Sequence, residues 1–169
     1  MGKQLYIIRH AKSDWAFRVS DFDRPLNERG FENAPKMAER ISSPQFMPEF
    51  LISSPAKRAL TTAQIFAEVF NYPHRMIATE TKLYEANVSE ILSVINNLND
   101  NFQRIAVFAH NPGLSETVSY LTQNEYINLP TCSIVQLDFP QADHWAEVSQ
   151  GTGIIINFLY PKDGKSEIL

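Results

Sequence analysis

The sequence predicts an α/β fold, a three-layer α/β/α sandwich whose mostly parallel central sheet carries helices on both faces. Short apolar segments alternate along the chain with longer amphipathic segments, which is typical of strands that alternate with helices. The strongest strand candidates are apolar throughout, as expected for strands buried on both faces of a parallel sheet. The last third instead carries apolar segments joined by short turns, which predicts an antiparallel edge near the C-terminus.

Seven segments are predicted as strands because they are short, apolar and rich in β-branched or aromatic residues. In chain order they are 4–8, 50–53, 76–79, 105–109, 134–139, 145–148 and 154–160. The segment 105–109 (IAVFA) is apolar throughout, whereas 76–79 (MIAT) is the weakest candidate. The last three segments form the predicted antiparallel edge.

Four segments are predicted as helices, namely 28–41, 56–70, 88–98 and a helix that follows Gly113 and ends near Thr122. Asn27 is a favourable N-cap for the first helix. Pro35 lies inside that helix and is expected to kink it or divide it in two, because proline lacks the backbone N–H. Ser54 and Pro55 are typical of the N-cap and the first helical position of the second helix. Apolar residues recur at helical spacing in the third.

Composition limits the classes of partner and compartment. The chain has 169 residues, enough for one domain spanning 1–169, with 44% hydrophobic residues and a net charge of −4, so it offers no general attraction for nucleic acid or an anionic membrane. A single cysteine, Cys132, excludes an internal disulfide. The N-terminus has no signal-peptide layout, and no apolar window is long enough to span a bilayer. We therefore expect a cytoplasmic protein; its oligomeric state is not predicted.

Charged and titratable residues follow the predicted strands at the points where those strands end. In open α/β sheets the binding site lies beyond the carboxyl ends of the strands, so these side chains are expected to share one rim. The residues are Arg9, His10, Arg58 one turn into the second helix, Glu85 and His110. Lys12, Ser13 and Asn111 lie close enough in sequence to contribute, although each is equally compatible with an ordinary loop residue.

Two arginines and two histidines at one rim suit the chemistry of a phosphoryl group. Phosphoryl transfer is catalysed mainly by positioning and charge stabilisation, and Arg9 and Arg58 offer planar, permanently charged donors. An imidazole can attack phosphorus when one nitrogen is unprotonated and the other N–H is held by an acceptor. By contrast, Asp21-Phe-Asp23 follows no buried strand, which argues against an aspartate nucleophile, and the histidines lack zinc-ligand spacing.

Five motifs, in this order along the chain, resemble those of the histidine phosphatase superfamily, also called phosphoglycerate mutase-like proteins. They are LYIIRHAKS (5–13), RPLNERG (24–30), SSPAKRALTTA (53–63), LYEA (83–86) and AHNPGLS (109–115). The chain is most similar to the small SixA-type phosphohistidine phosphatase branch. One departure is Ala11, where most of the superfamily has glycine, although alanine is familiar in the small branch.

The resemblance implies a phosphoglycerate mutase-like fold and assigns roles to matching positions. His10 is the implied nucleophile, Arg9 and Arg58 bind phosphate, and His110 donates to a phosphoryl oxygen. Ser13 and Asn111 are further candidates for phosphate binding, and Glu85 matches the position of a general acid in larger members. The resemblance implies that neither a metal nor another cofactor is needed.

The expected substrate is phosphohistidine on a protein. Its imidazole leaving group can carry its own proton, which relaxes the demand for an enzymic acid. Only about 45 residues separate Arg58 from the strand 105–109, which leaves little chain for a lid over a small metabolite. Two alternatives stay open: a small-molecule phosphomonoesterase of the same superfamily, and a non-catalytic module that binds phosphoproteins.

Overall fold

The computed structural model describes residues 2–16 and 18–162. Its strands and helices, in chain order, are β1 (Lys3–Arg9), α1 (Glu28–Glu39), β2 (Phe50–Ser53), α2 (Lys57–Phe70), β3 (Ala78–Thr79), α3 (Val88–Asn96), β4 (Arg104–Ala109), α4 (Gly113–Thr122), β5 (Ile134–Phe139) and β6 (Ile154–Leu159). Single 3-10 turns lie at Asp21–Asp23, His74–Met76, Thr81–Leu83 and Trp145–Glu147. No helix among these residues is long and apolar enough to cross a bilayer.

The strands form one six-stranded sheet in the order β3-β2-β4-β1-β5-β6. The pairs β3–β2, β2–β4 and β4–β1 are parallel, and β5 and β6 add an antiparallel edge. The predicted α/β/α class with a mostly parallel sheet is therefore confirmed. In the central pair, Arg9 lies opposite Ala109, so the residues that follow β1 and β4 emerge side by side at one edge of the sheet.

The core lies on both faces of β1, whose apolar side chains alternate between two layers. Leu5 and Ile7 pack with α3 and α4, whereas Tyr6 and Ile8 pack with α1 and α2. All four side chains are fully buried, and burial of each apolar side chain stabilises the fold by about 1.5–3 kcal/mol. A central strand anchored in this way gives the residues at its carboxyl end a fixed position.

Pro35 does not divide the first helix, contrary to one of the two outcomes expected from the sequence. The helix runs without interruption over α1, and Asn27 caps it by accepting a hydrogen bond from the Gly30 N–H at 2.9 Å. Proline removes one backbone hydrogen bond, but Ala34 and Met37 beside it are buried against the core. Tertiary packing therefore offsets the loss.

The predicted strand 145–148 is wrong, because this segment forms the 3-10 turn Trp145–Glu147. The Trp145 side chain is fully buried, which accounts for the apolar signal in the sequence. Its backbone carbonyl, and that of Val148, accept hydrogen bonds from the Asn96 side chain at 2.8 and 2.9 Å. A side chain of α3 thus satisfies carbonyl groups that a neighbouring strand would have paired.

Candidate active site

The edge of the sheet where β1 and β4 end carries both predicted site histidines. The rings of His10 and His110 follow the paired residues Arg9 and Ala109, and their centroids are 5.2 Å apart. From α2, Arg58 reaches the same place and donates its Nε–H to His10 Nε2 over 3.3 Å. One cavity of about 680 Å³ is lined by the two predicted arginines and the two predicted histidines, namely Arg9, His10, Arg58 and His110. The parallel pairing of β1 with β4, together with α2, thus brings together residues that lie up to 101 positions apart in the sequence.

The His10 imidazole is held in one tautomer. Its Nδ1 lies 2.7 Å from the Ala11 carbonyl oxygen, which only accepts, so Nδ1 carries the proton and Nε2 is left as an acceptor for Arg58. Burial lowers the pKa of His10 well below its ordinary value, and the nearby charges of Arg58 and Arg9 lower it further. The ring is therefore neutral at neutral pH, with the lone pair of Nε2 directed toward the Arg58 guanidinium.

The turn after β1 is fastened to α2 by a threonine. The Ala11 N–H donates to Thr62 Oγ1 over 3.0 Å, and this hydroxyl donates in turn to the Arg58 carbonyl oxygen over 2.7 Å. Thr62 is fully buried. The residue that orients His10 is consequently held by the helix that supplies Arg58, which fixes the two groups relative to each other.

The predicted helix cap at Ser54 is wrong. The α2 N-cap is Ala56, and no side chain caps it. The Ser54 hydroxyl accepts from the Ala56 N–H at 3.2 Å and lies 2.8 Å from His110 Nε2. When that hydroxyl donates its own proton to Nε2, the ring proton of His110 lies on Nδ1; when Nε2 donates to the hydroxyl, Nδ1 is an acceptor.

His110 is buried and neutral, with one ring nitrogen available. Burial lowers its pKa to about 3, and the Arg58 charge lowers it further than Asp21 raises it. The buried Nδ1 atom has no hydrogen-bond partner among the described residues. A buried polar atom without a partner is unfavourable, so Nδ1 is a candidate for a hydrogen bond with a ligand, and in the tautomer with the proton on Nδ1 it can donate to an oxygen.

Arg9 presents a second unpartnered nitrogen. Its Nη1 donates to the Leu129 carbonyl oxygen over 2.7 Å, while its buried Nε has no partner within the described part of the chain. Burial and the neighbouring Arg58 charge lower the pKa of Arg9 below its ordinary value. Two guanidinium groups close enough to repel each other in a buried cavity are typical of a site for an anion.

Asn111 lines the cavity, but its side-chain amide is engaged elsewhere. Its Nδ2 donates to Asn128 Oδ1 and to the Leu129 carbonyl oxygen, at 3.1 and 3.0 Å, and its Oδ1 accepts from the backbone and hydroxyl of Ser115. Arg9 binds the same Leu129 carbonyl oxygen. In this arrangement Asn111 braces the loop that positions Arg9.

The polar side chains after His10 divide between the interior and the rim of the cavity. Ser13 is buried, and its hydroxyl accepts a hydrogen bond from Arg24, whose guanidinium also lies 3.6 Å from the centre of the Trp15 ring. Lys12 also lines the cavity but is exposed. Glu85 is exposed at the cavity mouth, with a left-handed backbone φ of 53°, a conformation that is unusual for glutamate.

One site residue that the sequence did not indicate is Asp21. Its Oδ2 lies 3.0 Å from Arg58 Nη2 and accepts from the Tyr84 hydroxyl at 2.7 Å, and its Oδ1 lies 3.0 Å from Arg24 Nη2. Its carbonyl oxygen accepts from Arg58 Nη1 at 2.6 Å. The Tyr84 hydroxyl, Arg24 and Arg58 hold the pKa of this carboxyl far below its usual range. The one available signal was the spacing of Asp21 and Arg24, an acid and a base three residues apart.

The described residues contain no group of three or more His, Cys, Asp or Glu side chains placed to hold a metal ion. The arrangement does contain a neutral imidazole with an unprotonated Nε2, that of His10. Beside it lie two guanidinium groups, those of Arg9 and Arg58, and a second neutral imidazole, that of His110. Such a set can bind a tetrahedral anion and place a nucleophile against it.

Comparison with known proteins identifies the family. A sequence model of the histidine phosphatase superfamily (branch 1) matches residues 5–91, just over half of the chain. The protein therefore belongs to the histidine phosphatase superfamily, which confirms the resemblance found in its motifs.

Individual relatives extend the match over nearly the whole chain. An uncharacterized protein of Mycobacterium tuberculosis is 26% identical over 163 residues, which cover 92% of this chain and 100% of the relative. The crystal structure of a protein from Agrobacterium tumefaciens, assigned as phosphohistidine phosphatase SixA, superposes with a TM-score of 0.77 at 27% identity and covers 95% of this chain and 99% of that one. A structure of the protein histidine phosphatase SixA complexed with tungstate gives a TM-score of 0.80 at 22% identity, with 96% and 99% covered, and supports the fold.

Proposed function

We propose that the protein is a metal-independent phosphatase that hydrolyses phosphohistidine on other proteins through a phospho-His10 intermediate. The observation that carries the proposal is the state of His10: its Nδ1–H is bound to the Ala11 carbonyl oxygen, and its unprotonated Nε2 accepts a hydrogen bond from Arg58. The 27% identity to a protein assigned as SixA, over nearly the full length of both chains, favours the same chemistry.

In the first step, His10 Nε2 attacks the phosphorus atom of the substrate phosphohistidine. We assign the binding of the phosphoryl oxygens to the Nε–H groups of Arg9 and Arg58 and to His110 with its proton on Nδ1, because Arg9 Nε and His110 Nδ1 have no partner among the described residues and Arg58 Nε lies beside the nucleophile. As the new P–N bond forms, the old one breaks, and its electron pair stays on the substrate nitrogen. When the other nitrogen of the substrate ring is protonated, the leaving group departs as neutral imidazole. No proton has to come from the enzyme.

In the second step, water attacks the phosphorus atom of phospho-His10. The P–N bond breaks, the electron pair returns to Nε2, and the oxygen of water becomes the fourth oxygen of dihydrogen phosphate, which releases a proton to solvent. The Ala11 carbonyl oxygen holds the Nδ1–H throughout and stabilises the positive charge on the phosphorylated ring. The first step thus replaces one P–N bond with another, and the second replaces a P–N bond with a P–O bond.

The surroundings of the cavity favour a phosphate displayed on a protein. Trp15 lines the mouth and is 78% exposed, and Phe22, 39% exposed, packs edge-on against the cavity residue Tyr84. Between α2 and β4 the chain forms α3, which packs into the core through Ile91 and Ile95 and does not cover the mouth. Exposed aromatic side chains beside an open site suit contact with another protein.

A substrate panel tests the proposal. The purified protein is incubated with a phosphohistidine protein, a phosphoserine protein and a sugar phosphate, and phosphate release is measured for each. We expect fastest turnover of phosphohistidine, and the His10→Ala variant, prepared in parallel, reveals any contaminating phosphatase. Fast hydrolysis of the sugar phosphate with no release from phosphohistidine would instead identify the small-molecule phosphomonoesterase. Binding of phosphoprotein without any release would identify the non-catalytic module.

A further inference from the structure

We propose that Asp21 is a positioning residue for phosphoryl transfer, which holds one edge of the Arg58 guanidinium so that the other edge faces His10 and the phosphoryl group. This inference rests on the phosphate site of the proposed function and deepens it. It assigns a role to Asp21, which the sequence gave no reason to place in the site.

The guanidinium of Arg58 has two edges, and the structure uses them differently. The end edge, formed by Nη1 and Nη2, binds Asp21 through its carbonyl oxygen at 2.6 Å and its carboxylate at 3.0 Å. The side edge carries Nε, which lies 3.3 Å from His10 Nε2. Because the group is planar, fixing the end edge also fixes the direction of the Nε–H. A phosphoryl oxygen that replaces His10 as acceptor therefore meets a donor that is already aligned.

The Asp21 carboxylate is itself held from three directions. It accepts from Arg58 on α2, from Arg24 on its own loop and from the Tyr84 hydroxyl before α3. Arg24 is buried and stacks on the Trp15 ring of the same loop, so the carboxylate is held from within its own loop and, through Arg58 and Tyr84, from outside it. An exposed ion pair contributes little to stability by itself, but three fixed donors hold this carboxylate in one orientation.

The sign of the charge distinguishes positioning from simple binding. A carboxylate next to Arg58 offsets part of the positive potential that attracts a phosphoryl dianion, so it weakens binding of the substrate in its ground state. Its benefit must then lie in alignment, which matters most in the transition state. Removal of the charge is accordingly expected to lower kcat without raising KM.

The primary test compares Asp21→Asn with Asp23→Asn. The two residues share one 3-10 turn, and both substitutions remove one negative charge. Within the described residues, however, the exposed Asp23 side chain accepts only from Ser20, at 2.9 Å. With an aryl phosphate as substrate, we expect Asp21→Asn to lower kcat by about tenfold. KM, and the inhibition constant for inorganic phosphate, are expected to stay the same or fall. Asp23→Asn is expected to leave all three values within about twofold of the wild type.

Two further variants show whether Asp21 acts through Arg58. In an Arg58→Ala background, Asp21→Asn is expected to cause no further loss of kcat, since the group that it positions is absent. Tyr84→Phe removes one of the three donors and is expected to cause a smaller loss of kcat than Asp21→Asn. Independent losses in the double variant, equal losses in Asp21→Asn and Asp23→Asn, or a rise in KM with kcat unchanged would each overturn the positioning role.

A spectroscopic readout separates this inference from the proposed substrate. The ¹H–¹⁵N signal of the Arg58 Nε–H, assigned with Arg58→Ala, reports whether that group is fixed in the protein without substrate. We expect a resolved signal in the wild type and in Asp23→Asn, and an exchange-broadened or shifted one in Asp21→Asn. If the protein hydrolyses none of its test substrates, the proposed function fails, and this signal still decides the role of Asp21. An unchanged signal in Asp21→Asn would refute it.

Discussion

The cavity is built from two regions that differ in how their residues are held. One is the carboxyl edge of the sheet, where His10 and His110 follow the paired strands β1 and β4 and are buried. The other is the loop between β1 and α1, where Trp15 is exposed and Asp21 is held by side-chain contacts. In the first region, the register of the paired strands sets the positions of the two histidines. In the second, side-chain contacts set the orientation of the Arg58 guanidinium.

The largest expected effect concerns the Arg58 guanidinium, which reaches the sheet edge from α2. Arg58→Ala removes the donor nearest His10 Nε2, and we expect kcat on phosphohistidine to fall by about 10²- to 10³-fold, as for the loss of one aligned donor in an active site. Steady-state phosphate release measures the effect. Lys57→Ala, an exposed neighbour in the same helix turn, is the matched control and is expected to retain activity. Equal losses in both variants would mean that α2 as a whole, and not the guanidinium, is responsible.

A second prediction concerns how burial of the sheet-edge histidines links folding to pH. The pKa of His10 lies well below its ordinary value and that of His110 is about 3, whereas both are about 6.5 in the unfolded chain. Below about pH 6.5 the unfolded chain therefore binds more protons, and the free energy of unfolding falls as pH falls, by up to about 1.4 kcal/mol per pH unit for each histidine.

Urea unfolding at pH 7, 6 and 5 measures this dependence. We expect His10→Asn to remove the contribution of one proton from the slope of the free energy of unfolding against pH, and His110→Asn to remove a similar contribution. The control variant is His144→Asn, which removes an exposed histidine outside the cavity. Wild-type and His10→Asn proteins with the same slope would show that His10 is not held neutral by burial.

The smallest expected effect concerns the exposed mouth. We expect Glu85→Gln to leave the turnover of phosphohistidine within about threefold of the wild type, because the imidazole leaving group needs no enzymic acid. For an alkyl phosphate, whose leaving oxygen needs a proton, the same substitution is expected to lower kcat by about 10²-fold. Parallel assays of the two substrates check this. A comparable loss for both would assign Glu85 a role in binding or folding instead of proton donation.

Much of the sheet-edge region could be predicted from the sequence. The apolar run before Arg9 and the run before His110 mark buried strands, and in parallel sheets the residues after such strands meet at one edge. The resemblance of the motifs added the identity of the family. Both signals are local, and each depends on a few consecutive residues.

The contacts that orient these residues could not be predicted in the same way. In the sequence, Thr62 has the features of an ordinary helix residue. It links Ala11 to Arg58 only because the turn after β1 approaches α2. Asp21 lies in a polar loop, 37 residues from Arg58 and 63 from Tyr84. The partners of a side chain in an irregular loop depend on the path of the backbone, and no periodic pattern records that path. For the same reason the sequence assigned Ser54 to a helix cap, while its hydroxyl also binds His110.

The most direct test of the account is to trap the phosphoenzyme and locate the phosphoryl group. The protein is mixed with a ³²P-labelled phosphohistidine protein, the reaction is stopped at high pH within milliseconds to seconds, and the labelled peptide is identified by mass spectrometry. We expect a phosphoryl group on the Nε2 atom of His10, formed and lost at rates that match turnover, and no label in His10→Ala. Label on another residue, or full turnover by His10→Ala, would contradict the account.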